Sequence, residues 1–158
     1  MTEFSCQFER MTLPHALEIA NEWRYPEPFD FYNADADLED YEEFISPNRW
    51  PVVFEACFHN EELVGFFSAN VEDLVAELGV GLRPDLTGWG RGRGFIESSL
   101  SRLLELEPHL EQVTLMVAEF NERAIRTYKR CGFEITGTHK QETNGGEYQF
   151  VDMRLPLR

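Results

Sequence analysis

The chain reads as a single α/β domain: a mixed, mostly antiparallel sheet with one parallel strand pair and about four helices. Three observations predict it. Three β-rich runs between residues 52 and 82 are joined by very short turns, which demands an antiparallel meander. A glycine-rich stretch, a helical repeat and an apolar strand then follow, and a strand–helix–strand unit implies a parallel, right-handed crossover. Finally, Asn144-Gly145-Gly146 marks a hairpin turn near the end. At 158 residues the length suits one domain with a real core.

Taken in order, Glu3 to Phe8 predicts a first strand. Thr12 is placed to cap a helix through LPHALEIANEW, with Pro14 tolerated in its first turn. The segment YPEPFDFYN is too rich in proline and aromatic residues for a regular element. Asp35 or Asp37 can cap a second helix with Leu38, Tyr41, Phe44 and Ile45 on its apolar side, ended by SPNRWP. Strands are predicted over Val52–His59, Leu63–Val71 and Leu74–Leu82, with turns at Asn60-Glu61-Glu62 and Glu72-Asp73. RPDLTGWGRGRG reads as a loop, and FIESSLSRLLELE as a helix stopped by Pro108. Val113–Ala118 is almost wholly apolar, as for a strand buried on both faces. Asn121 caps a helix carrying Ala124, Ile125, Tyr128 and Cys131, with Gly132 as its C′ residue. Phe133–Thr138 and Glu147–Leu155 close the order β α α β β β α β α β β.

The charge excludes some function classes. There are 29 Asp plus Glu against 14 Lys plus Arg, a net charge of −15. This argues against general nucleic-acid binding, which needs a basic face. A hydrophobic fraction of 42% is too high for a disordered acidic chain. No apolar run approaches the roughly 20 residues of a membrane span, and the N-terminus lacks the pattern of a secretory signal. Three widely spaced cysteines, Cys6, Cys57 and Cys131, fit reduced thiols and a cytoplasmic location. The charge is uneven. Residues 25–48 hold eight acids and no Lys or Arg, whereas residues 83–130 hold eight bases and seven acids. The acidic segment either keeps the surface solvated or concentrates a cationic partner; the balanced segment can tolerate an anion.

Thr87-Gly88-Trp89-Gly90-Arg91-Gly92-Arg93-Gly94, between a strand and a helix, carries the strongest chemical signal. Glycines let several N–H groups face one way, and a helix N-terminus adds partial positive charge, a combination suited to a diphosphate. Arg91 and Arg93 add guanidinium contacts. No Lys-Ser/Thr follows the last glycine, so it is not a P-loop. The dinucleotide spacing G-x-G-x-x-G also fails: its third glycine falls on Arg93 or Phe95. A solvated turn with surface arginines is the plain alternative.

Leu82 to Gly92 resembles the acyl-CoA-binding motif of the GNAT acetyltransferase superfamily, Gln or Arg, two residues, Gly, one residue, then Gly or Ala. Asn121 to Phe133 resembles its second landmark, Asn-x-x-Ala-(apolar)-x-x-Tyr-x-x-x-Gly-Phe. Thr87 stands where the first motif opens with Gln or Arg, which removes one side-chain contribution to the cradle. The resemblance divides the chain into an acceptor-side half (about 1–73), an acyl-CoA-binding core (about 74–138) and a closing hairpin (139–158). It implies acetyl-CoA as co-substrate, no metal, and a V-shaped opening between the strand ending at Leu82 and the strand 113–118. The pantetheine arm would pair with backbone near Val80 and Leu82. The diphosphate would sit on N–H groups from Gly88 to Arg93, bordered by Thr87 and including Gly90, Arg91 and Gly92. Asn121 would contact the pantetheine arm, act as an N-cap, or both.

The same resemblance implies Tyr128 as the general acid that protonates the leaving thiolate, although its place on an apolar helical stripe also suits a core tyrosine. For the base, Glu77 and Glu119 are candidates; in ribosomal-protein-type relatives a glutamate lies at the position matching about Met116. An exposed strand carboxylate is the plain reading of Glu77. Tyr25, Phe29 and Tyr32, beside Glu27 and Asp30, are candidates for binding the acceptor, by holding a cation or by packing the loop onto the sheet. The activity implied is N-acetylation of a primary amine by direct attack on the thioester, with a small-molecule amine or a protein N-terminus as acceptor. No nucleic acid and no membrane are implied, and a homodimer stays open. A catalytically silent acyl-CoA-sensing module and an acidic interaction protein are the alternatives.

Overall fold

The computed structural model describes residues 5–87 and 91–157. They form a seven-stranded sheet in the order β1-β2-β3-β4-β5-β7-β6, from β1 (Gln7–Arg10), β2 (Val53–His59), β3 (Glu62–Glu72), β4 (Val75–Leu82), β5 (Gln112–Ala118), β6 (Glu134–Thr143) and β7 (Gly146–Pro156). Only β4 and β5 run parallel; every other neighbouring pair is antiparallel. Helices α1 (Leu13–Glu22) and α2 (Leu38–Phe44) cover one face, and α3 (Arg91–Leu106) and α4 (Glu122–Arg130) the other. Strand alternation explains the two layers. In β2, Val53 and Cys57 pack with Phe67, Phe95 and Leu103 under α3, while Phe54, Ala56 and Phe58 pack with Ile19 and Trp23 of the α1 layer. On the α3 side the buried Glu55 carboxylate takes its charge-assisted bond from Arg102, 2.7 Å away.

Tight turns set the meander. Asn60 and Glu61, Asp73 and Leu74, and Asn144 and Gly145 all have left-handed φ, between 51° and 76°. Paired left-handed residues match the twist of adjacent strands. Leu74 therefore belongs to the turn, and β4 begins one residue later than its hydrophobicity suggests; the Leu74 carbonyl is held by the Glu111 N–H at 2.8 Å. Strand β1 also lies later than expected, ending at Arg10. Leu38 faces solvent instead of the apolar side of α2, at 71% exposure. Helix α3 starts at Arg91, so Arg91–Gly94 form its first turn and are not loop. Gly92 faces α4 with room to spare, since a Cβ at that position would lie 3.5 Å from the Thr127 methyl, an ordinary contact.

Helix caps follow the expected chemistry with one exception. Asp37 accepts from the Asp40 N–H and Asn121 from the Ala124 N–H. Thr12 occupies the N-cap of α1, but its hydroxyl instead meets His15 Nδ1 at 2.9 Å. At the end of α4, Gly132 (φ +103°) donates to Lys129 and Phe133 donates to Tyr128. Those two bonds make a Schellman cap, and the Phe133 and Tyr128 rings, 5.8 Å apart, supply its apolar contact. The cap thereby positions Tyr128.

Candidate active site

β4 and β5 pair only over Val75–Glu77 and Gln112–Thr114. Beyond Glu77 they separate, so β4 from Leu78 to Leu82 keeps its antiparallel partner β3 on one side and has no strand on the other. A cavity of about 630 Å³ fills the gap. It reaches both faces of the sheet: Phe95, Ile96, Thr127 and Tyr128 line it from α3 and α4, and Ile19, Trp23, Phe44 and Phe66 from the opposite layer. On β4, Gly79 and Gly81 keep the floor low; a Cβ at Gly81 would strike the Phe66 ring. Met116, expected to lie in a strand buried on both faces, is 44% exposed and lines this cavity.

Of the residues singled out from the sequence, Tyr25, Phe29, Tyr32, Val80, Leu82, Thr87, Gly92, Asn121 and Tyr128 all line the cavity. Gly88 and Gly90 lie outside the described residues. Arg91 and Arg93 lie in the first turn of α3 but not on the lining, and Arg93 is ion-paired to Glu97 at 2.7 Å. Glu77 is exposed and also off the lining, although it shares a strand face with Gly79 and Gly81, which are on it. Glu119 is exposed and off the lining as well.

The segment between α1 and α2 straps the gap. At one end the Tyr25 hydroxyl donates to the Leu82 carbonyl at 2.7 Å, occupying one of the two backbone positions expected to meet the pantetheine arm. At the other, Asn121 Nδ2 donates to the Tyr32 hydroxyl at 3.2 Å while Asn121 Oδ1 caps α4, so Asn121 does two jobs. Between them the Arg123 guanidinium lies 4.6 Å from the centre of the Phe29 ring. Thr87 Oγ1 is turned back onto the Pro84 carbonyl at 2.8 Å.

Burial pushes the Tyr128 phenol well above its ordinary range, with the nearby Tyr32 adding to the effect. Its hydroxyl has no hydrogen-bond partner among the described residues. A neutral, unpartnered O–H in a cavity can donate a proton to a group that enters. Burial likewise raises the Cys131 thiol to about 11, which keeps it a thiol and not a nucleophilic thiolate at neutral pH.

Sequence reasoning missed the arginines of α4. Arg123, Arg126 and Arg130 line the cavity, at a spacing that keeps them on one helical face. None is in an ion pair among the described residues, although acids outnumber bases twofold and Arg24, Arg49, Arg83, Arg93, Arg102, Lys140 and Arg154 are all paired. The signal was present as a basic 123–130 stretch in an acidic chain.

The architecture is thus a sheet split between two parallel strands, with α3 following the strand at the split. Residues 15–133 match the Acetyltransferase (GNAT) family. The chain is 30% identical over 128 residues, 78% of each chain, to the peptidyl-lysine N-acetyltransferase YjaB of Escherichia coli strain K12. The chain belongs to the GNAT acetyltransferase family. Among solved structures, the aminoglycoside acetyltransferase AAC(6')-Ib in complex with coenzyme A superposes with a TM-score of 0.74 at 22% identity, covering 97% of this chain and 95% of that one. The ribosomal-protein-S18-alanine N-acetyltransferase of Escherichia coli gives 0.67 at 19% identity, over 97% and 94%. A spermidine N-acetyltransferase SpeG chimera from Vibrio cholerae and hSSAT gives 0.71 at 19%, over 96% and 95%.

Proposed function

We propose that the protein transfers an acetyl group from acetyl-CoA to a primary amine, with Tyr128 as general acid. The observation that carries this reading is the cavity through the split sheet. It brings an unpaired arginine row, a strand edge without a partner and a buried neutral phenol together in one space.

The residues fit acetyl-CoA. The free backbone edge around Val80 suits an amide-bearing arm, and the glycine-rich run into the first turn of α3 suits a diphosphate. Arg123, Arg126 and Arg130 supply positive charge on the same cavity. Bound there, acetyl-CoA provides an activated thioester carbonyl. The chain's own residues do the rest. The strap and the α1 layer wall the acceptor side of the cavity. Tyr128 gives its proton to the departing sulfur. Glu77, on the Gly79 and Gly81 face and next in sequence to the lining residue Leu78, takes the amine's proton through water. The acceptor is a primary amine of the kind named for the relatives: lysine side chain, aminoglycoside or spermidine.

Calorimetry with acetyl-CoA on wild type and Gly92→Asp tests the cofactor role. Micromolar binding lost in the variant supports it, because a carboxylate at the diphosphate position repels the ligand while Gly92 has room for a Cβ. No binding in the wild type overturns it. Binding with no turnover of any amine would leave an acyl-CoA-sensing module.

A further inference from the structure

A second cavity, of about 460 Å³, opens on the other side of the strap. The local geometry explains why one short segment serves two spaces. Phe29–Tyr32 is a single 3-10 turn, in which residues three apart eclipse. Phe29 and Tyr32 therefore both face the main cavity, while Asp30 and Phe31 face the second. Its walls are Phe31, Phe120 and Tyr148, with Glu27, Asp30 and Asn144 at the rim. The Phe31 ring lies edge-on to Tyr148 at 4.7 Å and to Phe120 at 5.5 Å. The wall is held in place: Asn144 Nδ2 donates to the Phe31 carbonyl at 2.8 Å, and the Asn144 N–H donates to Asp37 at 3.1 Å. Strap, α2 cap and β6–β7 turn thus meet at one point.

The two cavities have opposite polarity. The first is lined by three arginines and no carboxylate; the second has two carboxylates and no Lys, Arg or His on its lining. Neither Glu27 nor Asp30 is in an ion pair among the described residues. Aromatic faces with carboxylates at the rim attract an ammonium or guanidinium group, through the ring quadrupole and through charge.

We infer that the second cavity anchors a remote positive charge of the acceptor, so that the preferred substrate is an amine carrying a second cationic group. This rests on the acetyltransferase reading of the main cavity. The shared chemistry, alkylammonium or guanidinium, is offered by a small polyamine and by a basic peptide alike.

The test is direct binding, which does not depend on turnover. Diaminopentane, diaminooctane, pentylamine, octylamine and a capped Lys-Ala-Arg tripeptide are titrated calorimetrically into wild type, Glu27→Gln/Asp30→Asn and Tyr148→Leu. The wild type is expected to bind at least one diamine, or the tripeptide, about tenfold more tightly than the monoamines. The double variant is expected to lose that preference and Tyr148→Leu to weaken it. Tight binding of the tripeptide but not the diamines points to a peptide acceptor; the reverse points to a polyamine. Equal binding of mono- and dications, or a preference that survives Glu27→Gln/Asp30→Asn, overturns the inference. A separate acetyl-CoA titration on the same samples reports the main cavity, so failure of one reading is distinguishable from failure of the other.

Discussion

At the scale of single residues, Tyr128 combines a place in the core with the acid role proposed for it. Its ring closes the cap of α4 against Phe133, and its hydroxyl meets no hydrogen-bond partner among the described residues. Tyr128→Phe should therefore leave thermal stability unchanged and lower kcat by about 10²–10⁴, with acetyl-CoA affinity retained. Because burial raises its pKa, Tyr128 stays protonated through neutral and mildly alkaline pH, and kcat should show no loss of acid catalysis there. His139 offers a pH effect of a different kind. Its bond to Asp152 Oδ2 at 2.9 Å raises the imidazole above its ordinary value. The stabilisation is thus complete below about pH 6.5 and is lost as pH rises through the higher folded value. Melting of wild type and Asp152→Asn should differ more near about pH 5.5 than near about pH 8.5. Much of this scale was legible in the chain. Asn121 and Asp37 announce themselves as caps by residue type and position. Thr12 had the same signature, yet a histidine three residues on captured its hydroxyl, a competition that propensity does not weigh.

At the scale of elements, β2 and α3 are tied by Arg102 and Glu55, a carboxylate 5% exposed on its side chain facing a guanidinium 31% exposed. Arg102→Met should cost about 3 kcal/mol in urea unfolding, since it strands a buried charge, and adding Glu55→Gln should recover part of that loss. Gly65 makes a parallel point about close approach: a Cβ there would come within 2.6 Å of the buried Phe95 ring. Gly65→Ala should lower stability by about 1–3 kcal/mol. The order of strands and helices could be read from periodicity and turn spacing. The start of α3 could not, because Arg91-Gly92-Arg93-Gly94 has loop-like composition and yet forms the first turn of the helix. The start of β4 was equally hidden, as nothing in Leu74 advertises a left-handed backbone.

At the scale of the whole molecule, charge is sorted more than it is balanced. The chain is strongly acidic, yet three arginines without an ion pair among the described residues, Arg123, Arg126 and Arg130, share one face of α4 beside the strand gap. The motifs located the gap; the strap, the two cavities and their opposite polarity came only from tertiary packing around Phe31 and Phe120. Acetyl-CoA affinity should consequently fall as sodium chloride rises from about 0.05 to 0.5 M, and Arg126→Gln/Arg130→Gln should flatten that dependence, as isothermal titration can show. The gap has a further consequence. A strand without a neighbour is ordinarily a hazard of the sheet's rim, where chains recruit one another. Here the orphaned edge runs through the middle of the sheet, sheltered by the aromatic segment overhead. A ligand lying along it acts as a guest strand and binds only the folded chain, so at a hundredfold excess over Kd it would add about 2.7 kcal/mol to folding. The protein should then be hardest to unfold, and slowest to aggregate on heating, when its co-substrate is abundant.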